Sequence, residues 1–174
     1  MEILTLSTGG LSYFSARKGF ASDNVVNFEV VLANGEVVNA NATSNSGLWW
    51  ALKGGSNNFG VVTRFDLRAF QQGSFWGGIV LYADSASPSL LEAFVDLNKD
   101  KSFDEYAALM QSHVYAPGMG FLAVANMQYT RALENPETLH SYTKAQPQYS
   151  NTMRLSNQTD FTDEFIAMQP NGRR

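Results

Sequence analysis

A glycine-rich loop that leads directly into a strand pattern places the strongest constraint on this chain. The loop contains Gly54, Gly55 and Gly60 and few bulky side chains, and an alternating run over residues 61–69 follows it. Glycine accepts a positive φ and exposes bare backbone N–H groups, so such a loop can lie against a phosphate or the edge of a flavin. Glycine loops also simply turn corners, and Gly54–Gly55 fits a helix C-cap equally well. The interpretation therefore depends on the surrounding sequence.

The composition indicates a globular protein and argues against several classes of function. The 174 residues are 44% apolar and 16% charged, enough for one domain or two small ones. The formal net charge of −4, with no basic stripe, argues against a nucleic-acid surface. Cysteine is absent, and His113 and His140 are far apart, so we predict no metal site.

Targeting signals are weak in this sequence. No run of about 20 apolar residues predicts a membrane span, and no signal peptide is visible at the start. Two glycosylation sequons, at Asn41 and Asn157, would suit a secreted parent protein, although chance matches are common. Localisation and oligomeric state are therefore left open.

The first seventy residues read mainly as strands. Two β-branched runs, residues 25–32 and 37–42, flank Asn34-Gly35, which is the strongest short-range signal for a hairpin. A short helix is expected over residues 45–52. In residues 61–69, alternation predicts a strand with one buried face and one charged face. The predicted buried face is Val61, Thr63, Phe65, Leu67 and Ala69, and the other face is Val62, Arg64, Asp66 and Arg68.

The sequence changes character at residues 71–74, which predicts a boundary between units 1–70 and 71–174. Strands are expected over residues 75–82 and 121–130, with a weaker one near Met153. Helices are expected from Ser87-Pro88, at Asn135-Pro136 and over residues 161–168. Ser102 and Glu105 fit a capping box ahead of a further helix, which would contain Tyr106, Leu109 and Met110. This order predicts an α+β fold, with helices on one face of a mainly antiparallel sheet.

Several segments, taken in order, resemble the berberine-bridge-enzyme-like FAD-linked oxidases, which have the PCMH-type (vanillyl-alcohol-oxidase) FAD fold. The resemblance is strongest to fungal members and to the second half of their FAD-binding domain. The matching segments are residues 9–15, 19–20, 23–26, 29–36 and 48–63. Residues 71–174 resemble the start of that family's α+β substrate domain, which has an antiparallel sheet. The chain is thus identified as an internal fragment of such an oxidase.

The resemblance implies an FAD cofactor and a set of residues that contact it. Backbone at glycines and small residues is implied because a side chain would hold the chain away from the cofactor. The implied cofactor-binding residues are Gly9, Gly10, Ser12, Asn24, Val25, Val26, Gly60 and Val61. The group from Gly9 to Ser12 would lie near the pyrophosphate and ribityl chain. The group from Asn24 to Val26 would lie near the adenine-ribose end, and Gly60 and Val61 would close the pocket.

Departures from the family pattern limit the functional prediction. The family's upstream phosphate loop and its downstream Tyr/Asn-rich segment, which often supplies the catalytic base, are not in this sequence. The flavin-linking cysteine is missing near Ile3, and Thr8 stands where the family has a third glycine. No catalytic residue is therefore predicted.

Two functions remain open. The resemblance implies an oxidase that takes a hydride from a C–H bond next to oxygen or nitrogen in a small molecule or sugar and passes electrons to dioxygen. The alternative is an inactive truncated remnant that offers at most a binding surface, with exposed apolar faces over residues 25–38 and 61–69. A P-loop nucleotide site is excluded, because no Lys-Ser/Thr pair follows Gly60.

Overall fold

The computed structural model describes residues 9–99 and 103–168. The chain divides between Gln71 and Gln72 into two compact units, each with its own sheet and its own core. We call them the N-terminal unit and the C-terminal unit. Their assignment to a cofactor domain and a substrate domain stays a prediction.

The N-terminal unit is a three-stranded antiparallel sheet in the order β2-β1-β3, packed against short helices. The hairpin predicted around Asn34-Gly35 is present, and Gly35 supplies the left-handed turn residue with a φ of 83°. The elements are α1 Ser15–Lys18, a 3-10 turn Ala21–Asn24, β1 Val25–Val31, β2 Val37–Asn41, α2 Ser46–Leu52 and β3 Val61–Leu67.

The predicted buried face of β3 is confirmed at Phe65 and wrong at the other residues of the strand. Val61 is 67% exposed, and Thr63 and Leu67 are exposed as well. The residues of β3 that pack against the core of the N-terminal unit are Val62 and Phe65. Strict alternation therefore fails within this strand.

A β-bulge at Thr63 is the cause. Glu29 pairs with Arg64, whereas the next residue of β1, Val30, pairs with Val62. Thr63 is thus an extra residue in β3 with no partner in this register. Because side chains alternate with a period of two, one extra residue moves the following side chains to the opposite face.

The C-terminal unit is a five-stranded antiparallel sheet in the order β5-β6-β4-β7, with β8 pairing beside the other half of β4. Its strands are β4 Phe75–Ala83, β5 Ala107–Ala116, β6 Gly120–Tyr129, β7 Gln148–Asn151 and β8 Arg154–Ser156. Its helices are α3 Ser87–Lys99, α4 His140–Lys144 and α5 Gln158–Ala167, with 3-10 turns Asp84–Ala86 and Glu137–Leu139.

The helix predicted from the capping box is wrong. Leu109 and Met110 lie in β5, which pairs with β6 along its whole length. Ser102, the first residue of the predicted box, lies outside the described residues. Residues 109 and 110 fit a helix by spacing, but in a strand their side chains point to opposite faces. Gly118, with a φ of 85°, sits in the turn that joins the two strands, and this hairpin signal was missed.

The two faces of the C-terminal sheet are covered differently. On one face, α3 and α4 pack through Leu90 and Tyr142 onto a core that includes Val80 and Met127. On the other face, α5 covers only one end of the sheet, where the rings of Phe161 and Phe75 are 5.0 Å apart. The remainder of this second face is here called the open face.

Two classes of feature are not found in the part of the chain that the structure describes. Within residues 9–99 and 103–168, no three His, Cys, Asp or Glu side chains are grouped so that they could hold a metal ion. None of the helices in those ranges has the length and apolar character needed to cross a membrane.

Candidate functional site

The predicted glycine pair is fastened to the 3-10 turn that precedes β1. The amide N–H of Ala21 donates to the carbonyl of Gly10, and that of Ser22 donates to the carbonyl of Gly9, both at 2.8 Å. The φ angles of Gly9 and Gly10 are 110° and 77°, values that L side chains rarely adopt. The pair therefore lies beside the residues predicted to meet the adenine-ribose end of the cofactor.

Gly9 has room on the side where a side chain would project. A Cβ placed there would find its nearest neighbour, Cδ1 of Phe20, only at 4.0 Å. Ser12, the third residue of this group, is exposed, and its hydroxyl accepts from the amide of Phe14 at 3.2 Å. The backbone at Gly9 can thus be approached closely, as the resemblance requires.

The side chain of Asn24 shapes the turn. Its Nδ2 donates to the carbonyls of Lys18 at 2.8 Å and Phe20 at 3.0 Å. The backbone carbonyl of Asn24 accepts from the backbone amide of Arg68 at 2.8 Å. Asp23 acts in the same way, because its Oδ2 accepts from the amide of Phe20 at 2.9 Å. The side-chain amide of Asn24 is therefore already bonded to backbone carbonyls of neighbouring residues.

Val25 and Val26 lie at a second β-bulge and face different surroundings. Val25 pairs with Leu67 and Asn27 pairs with Asp66, so Val26 is the extra residue. Val25 is fully buried in the core, whereas Val26 is 42% exposed. Bulges re-aim side chains at the ends of sheets, and here the bulge presents Val26 at the surface, close in sequence to the turn that holds the glycine pair.

Gly60 and Val61 lie at the other end of β1. Val61 pairs with Val31, six residues along the strand from Val25, a separation of about 20 Å. A Cβ on Gly60 would come within 2.7 Å of the carbonyl oxygen of Val31, so tight packing on β1 already explains this glycine. The structure thus groups Gly9 and Gly10 with the start of β1, and only an extended ligand could also reach Gly60.

A polar network that the sequence did not predict crosses the outer face of the N-terminal sheet. Asn27 donates to Asp66 Oδ2 at 2.9 Å, and Arg64 bonds Asp66 at 3.0 Å and Glu29 at 3.2 Å. The hydrogen bond from Asn27, followed by Arg64, lowers the pKa of Asp66. Because the members bond one another, we assign this network to the stability of the sheet.

The open face of the C-terminal sheet carries a cavity of about 480 Å³. Its apolar lining includes Ile79, Leu81, Val124 and Met110 of the sheet. Phe165 of α5 and Met168, which follows that helix, line it as well. Asn126 adds an amide to the lining. None of the cofactor residues predicted from the sequence lies here. The cavity was missed because it needs β4, β5 and β6 side by side, and residues 109–110 were expected in a helix.

Comparison with known proteins gives relatives in sequence and neighbours in fold. The chain is 43% identical over 171 residues to the FAD-dependent monooxygenase elcE of Phaeosphaeria nodorum, covering 91% of this chain and 51% of that protein. Among solved structures, it is similar to 6-hydroxy-D-nicotine oxidase from Arthrobacter nicotinovorans, with a TM-score of 0.80, 19% identity, and coverage of 97% of this chain and 37% of that one.

A third similarity is to a variant of berberine bridge enzyme solved in complex with (S)-reticuline. The TM-score is 0.56 at 19% identity, with 71% of this chain and 27% of that chain covered. No protein-family model matches the chain. The chain spans about half the length of its curated relative elcE. These findings confirm the predicted resemblance and the predicted α+β fold with antiparallel sheets.

Proposed function

On the premise that this chain is a relative of the berberine-bridge-enzyme-like FAD-linked oxidases, we propose that it forms part of an FAD-dependent oxidoreductase. The N-terminal unit would contact the cofactor, and the C-terminal unit would contact a small-molecule substrate. The proposal includes removal of a hydride from a C–H bond next to oxygen or nitrogen, with dioxygen as the electron acceptor.

The observation that carries this proposal is the geometry at Gly9 and Gly10. The pair is pinned to the turn before β1, and the side of Gly9 that a Cβ would fill is open. Backbone of this kind fits a pyrophosphate, because N–H groups can approach it without a side chain between. We assign Gly9 and Gly10 to that contact and the bulge at Val26 to the adenine-ribose end.

Bound FAD would supply the hydride acceptor. In the overall reaction, the substrate carbon loses a hydride, the neighbouring O–H or N–H loses a proton, and dioxygen takes up two electrons and two protons to give hydrogen peroxide. The described residues lining the cavity contribute apolar contact and keep water from the side of the substrate that lies on the sheet. Since none of them is ionisable, they bind and orient the substrate, and we assign no proton transfer to them.

The test is flavin binding by the whole chain. We expect the purified protein, mixed with excess FAD, to retain flavin through gel filtration and to quench its fluorescence. Gly9→Ala should weaken binding roughly tenfold, about 1.4 kcal/mol. Gly35→Ala is the matched control, because it also places a Cβ at a positive φ with open space around it, in a turn outside the predicted contacts. A folded chain that loses all flavin, or equal effects of the two variants, contradicts the proposal.

A second candidate, a remnant with only an interaction surface, is favoured by one observation. Val37, Val31 and Val61 form a row across the outer face of the N-terminal sheet, and Val37 and Val61 are exposed. Apolar rows of this kind tend to bind a partner or to aggregate. Hydrogen exchange without FAD separates the candidates: strong protection along β1 and β3 in a monomeric chain contradicts a collapsed remnant.

A further inference from the structure

We propose that the cavity on the open face selects a neutral, largely apolar and flat small molecule that carries a hydrogen-bonding group, in preference to a sugar or a cationic amine. This proposal rests on the proposed function in one respect, namely that the cavity is the substrate-binding site. It names the chemical class that the site accepts.

The size and floor of the cavity set the shape of the ligand. A volume of about 480 Å³ lies within the range of roughly 300–1,000 Å³ typical of small-molecule sites. Ile79 and Leu81 come from β4 and Val124 from β6, so the floor is the face of a paired sheet. A flat apolar ring system would cover these side chains with the largest contact area.

The absence of charged side chains from the described lining disfavours ionic ligands. None of the described residues that line the cavity carries a charge. An ammonium or carboxylate group that lies against this lining would give up part of its water without gaining a charged partner, which weakens its binding. The cavity therefore selects against charged groups and favours neutral molecules.

The small number of polar groups argues against a sugar. The polar side chains in the described lining are Asn126, Ser112 and Ser150, on three different strands. A sugar brings a hydroxyl on nearly every carbon, and each buried hydroxyl needs a partner. Three polar groups on an apolar floor would leave most of those hydroxyls unpaired.

The same set of polar groups suits a ligand with one or two hydrogen-bonding atoms. Asn126 is only 5% exposed, and Gln128 Nε2 donates to its Oδ1 at 3.1 Å. That bond fixes the orientation of the Asn126 amide, so the ligand meets a preorganised group. A phenol or a ring carbonyl is a ligand of this class.

The experiment compares three probes on the FAD-treated full chain: 2-naphthol, 2-naphthylmethylammonium and glucose. Methyl signals of Met110 and Ile79, followed by NMR, report occupancy of this cavity directly. We expect 2-naphthol to shift both signals and the other two probes to bind at least roughly tenfold more weakly. Equal binding of the ammonium probe, or preferred binding of glucose, would overturn the inference.

A matched pair of variants locates the binding. Met110→Lys places a charge beside the cavity, and Met119→Lys places the same charge in the β5–β6 turn; the two methionines are 54% and 53% exposed, so neither change disturbs the core. We expect only Met110→Lys to weaken the binding of 2-naphthol, by about tenfold. Similar affinity in both variants refutes the site.

Parallel titration of FAD separates the two proposals. Naphthol binding at these methyl groups without flavin binding would contradict the proposed function and support the ligand class. Flavin binding with no preference among the three probes would support the proposed function and contradict the ligand class.

Discussion

The carboxamide of Gln128 occupies the space that a side chain at Gly77 would fill. The two residues are cross-strand partners in β6 and β4. A Cβ added to Gly77 would overlap Gln128 Oε1 and would lie 2.9 Å from the carbonyl oxygen of Met127. The freed space lets the buried Gln128 side chain lie flat and bond Asn126 at the cavity. A missing side chain on one strand thus supports a polar group in the lining.

Gly77→Ala should destabilise the C-terminal unit by about 1–3 kcal/mol, because Gln128 is buried and cannot move aside without losing its bond to Asn126. Urea unfolding of the full chain measures this change. Gly73→Ala is the control, since a Cβ there meets nothing within 4 Å. Adding Gln128→Ala to Gly77→Ala should recover part of the lost stability, because the shorter side chain leaves room for the new Cβ. Equal stability of the two alanine variants contradicts the packing described here.

Tyr142 should make the protein sensitive to alkali. Burial raises the pKa of its phenol to about 12, and the hydroxyl donates to Gln111 Oε1 at 2.7 Å. The unfolded chain loses this proton near pH 10. The folded state therefore binds more protons between pH 10 and about 12, and the free energy of unfolding falls across that window.

Tyr142→Phe should reduce this slope, which urea unfolding at pH 9 and pH 11 would detect. The matched control is Tyr149→Phe, which removes the same hydroxyl from an exposed tyrosine. An unchanged slope in Tyr142→Phe would show that another group governs the alkaline transition.

Asn27→Ala should raise the pKa of Asp66 towards its ordinary value, because the hydrogen bond from Asn27 is the main cause of its lowered pKa. Carboxyl NMR titration measures the shift. Because the pKa of Asp66 is lower in the folded state, its ionised form stabilises the fold at pH values above the pKa of the unfolded state. This stabilisation is lost as the pH falls through the pKa of the folded state. Asn39→Ala is the control, since it removes the other acceptor of Asn27 Nδ2 and keeps the bond from Asn27 to Asp66. A pKa unmoved by Asn27→Ala would assign the effect to Arg64.

Asn157→Ala should loosen the start of α5. Its Oδ1 accepts from the amide of Asp160 at 3.0 Å, the bond of a helix N-cap. Loss of such a cap costs about 1 kcal/mol. Hydrogen exchange in the first turn of α5 should speed up in Asn157→Ala and much less in Asn157→Ser, which keeps an accepting oxygen. Equal rates in the two variants would show that the cap does not hold this end.

Elements held by residues close together in the chain were predictable, whereas elements held by residues far apart in the chain were not. The β1–β2 hairpin was predictable because its turn is local: Gly35 takes a positive φ, and Asn34 Oδ1 accepts from the amide of Glu36 at 3.0 Å. β5 was missed because it is held by β6, and nothing within residues 107–116 separates a paired strand from a helix. The ordered glycine and valine motifs gave the family resemblance, which did not require knowledge of packing.

The sequence by itself determined the turns, the family resemblance and the α+β class, since these depend on residues close together in the chain. The tertiary structure decided which side of each strand is buried. Single extra residues at Val26 and Thr63 shift the pairing register, and each shift turns the following side chains over. The cavity was also decided only in three dimensions, because its lining comes from strands that meet through long-range pairing and from the end of α5, which packs on the same face.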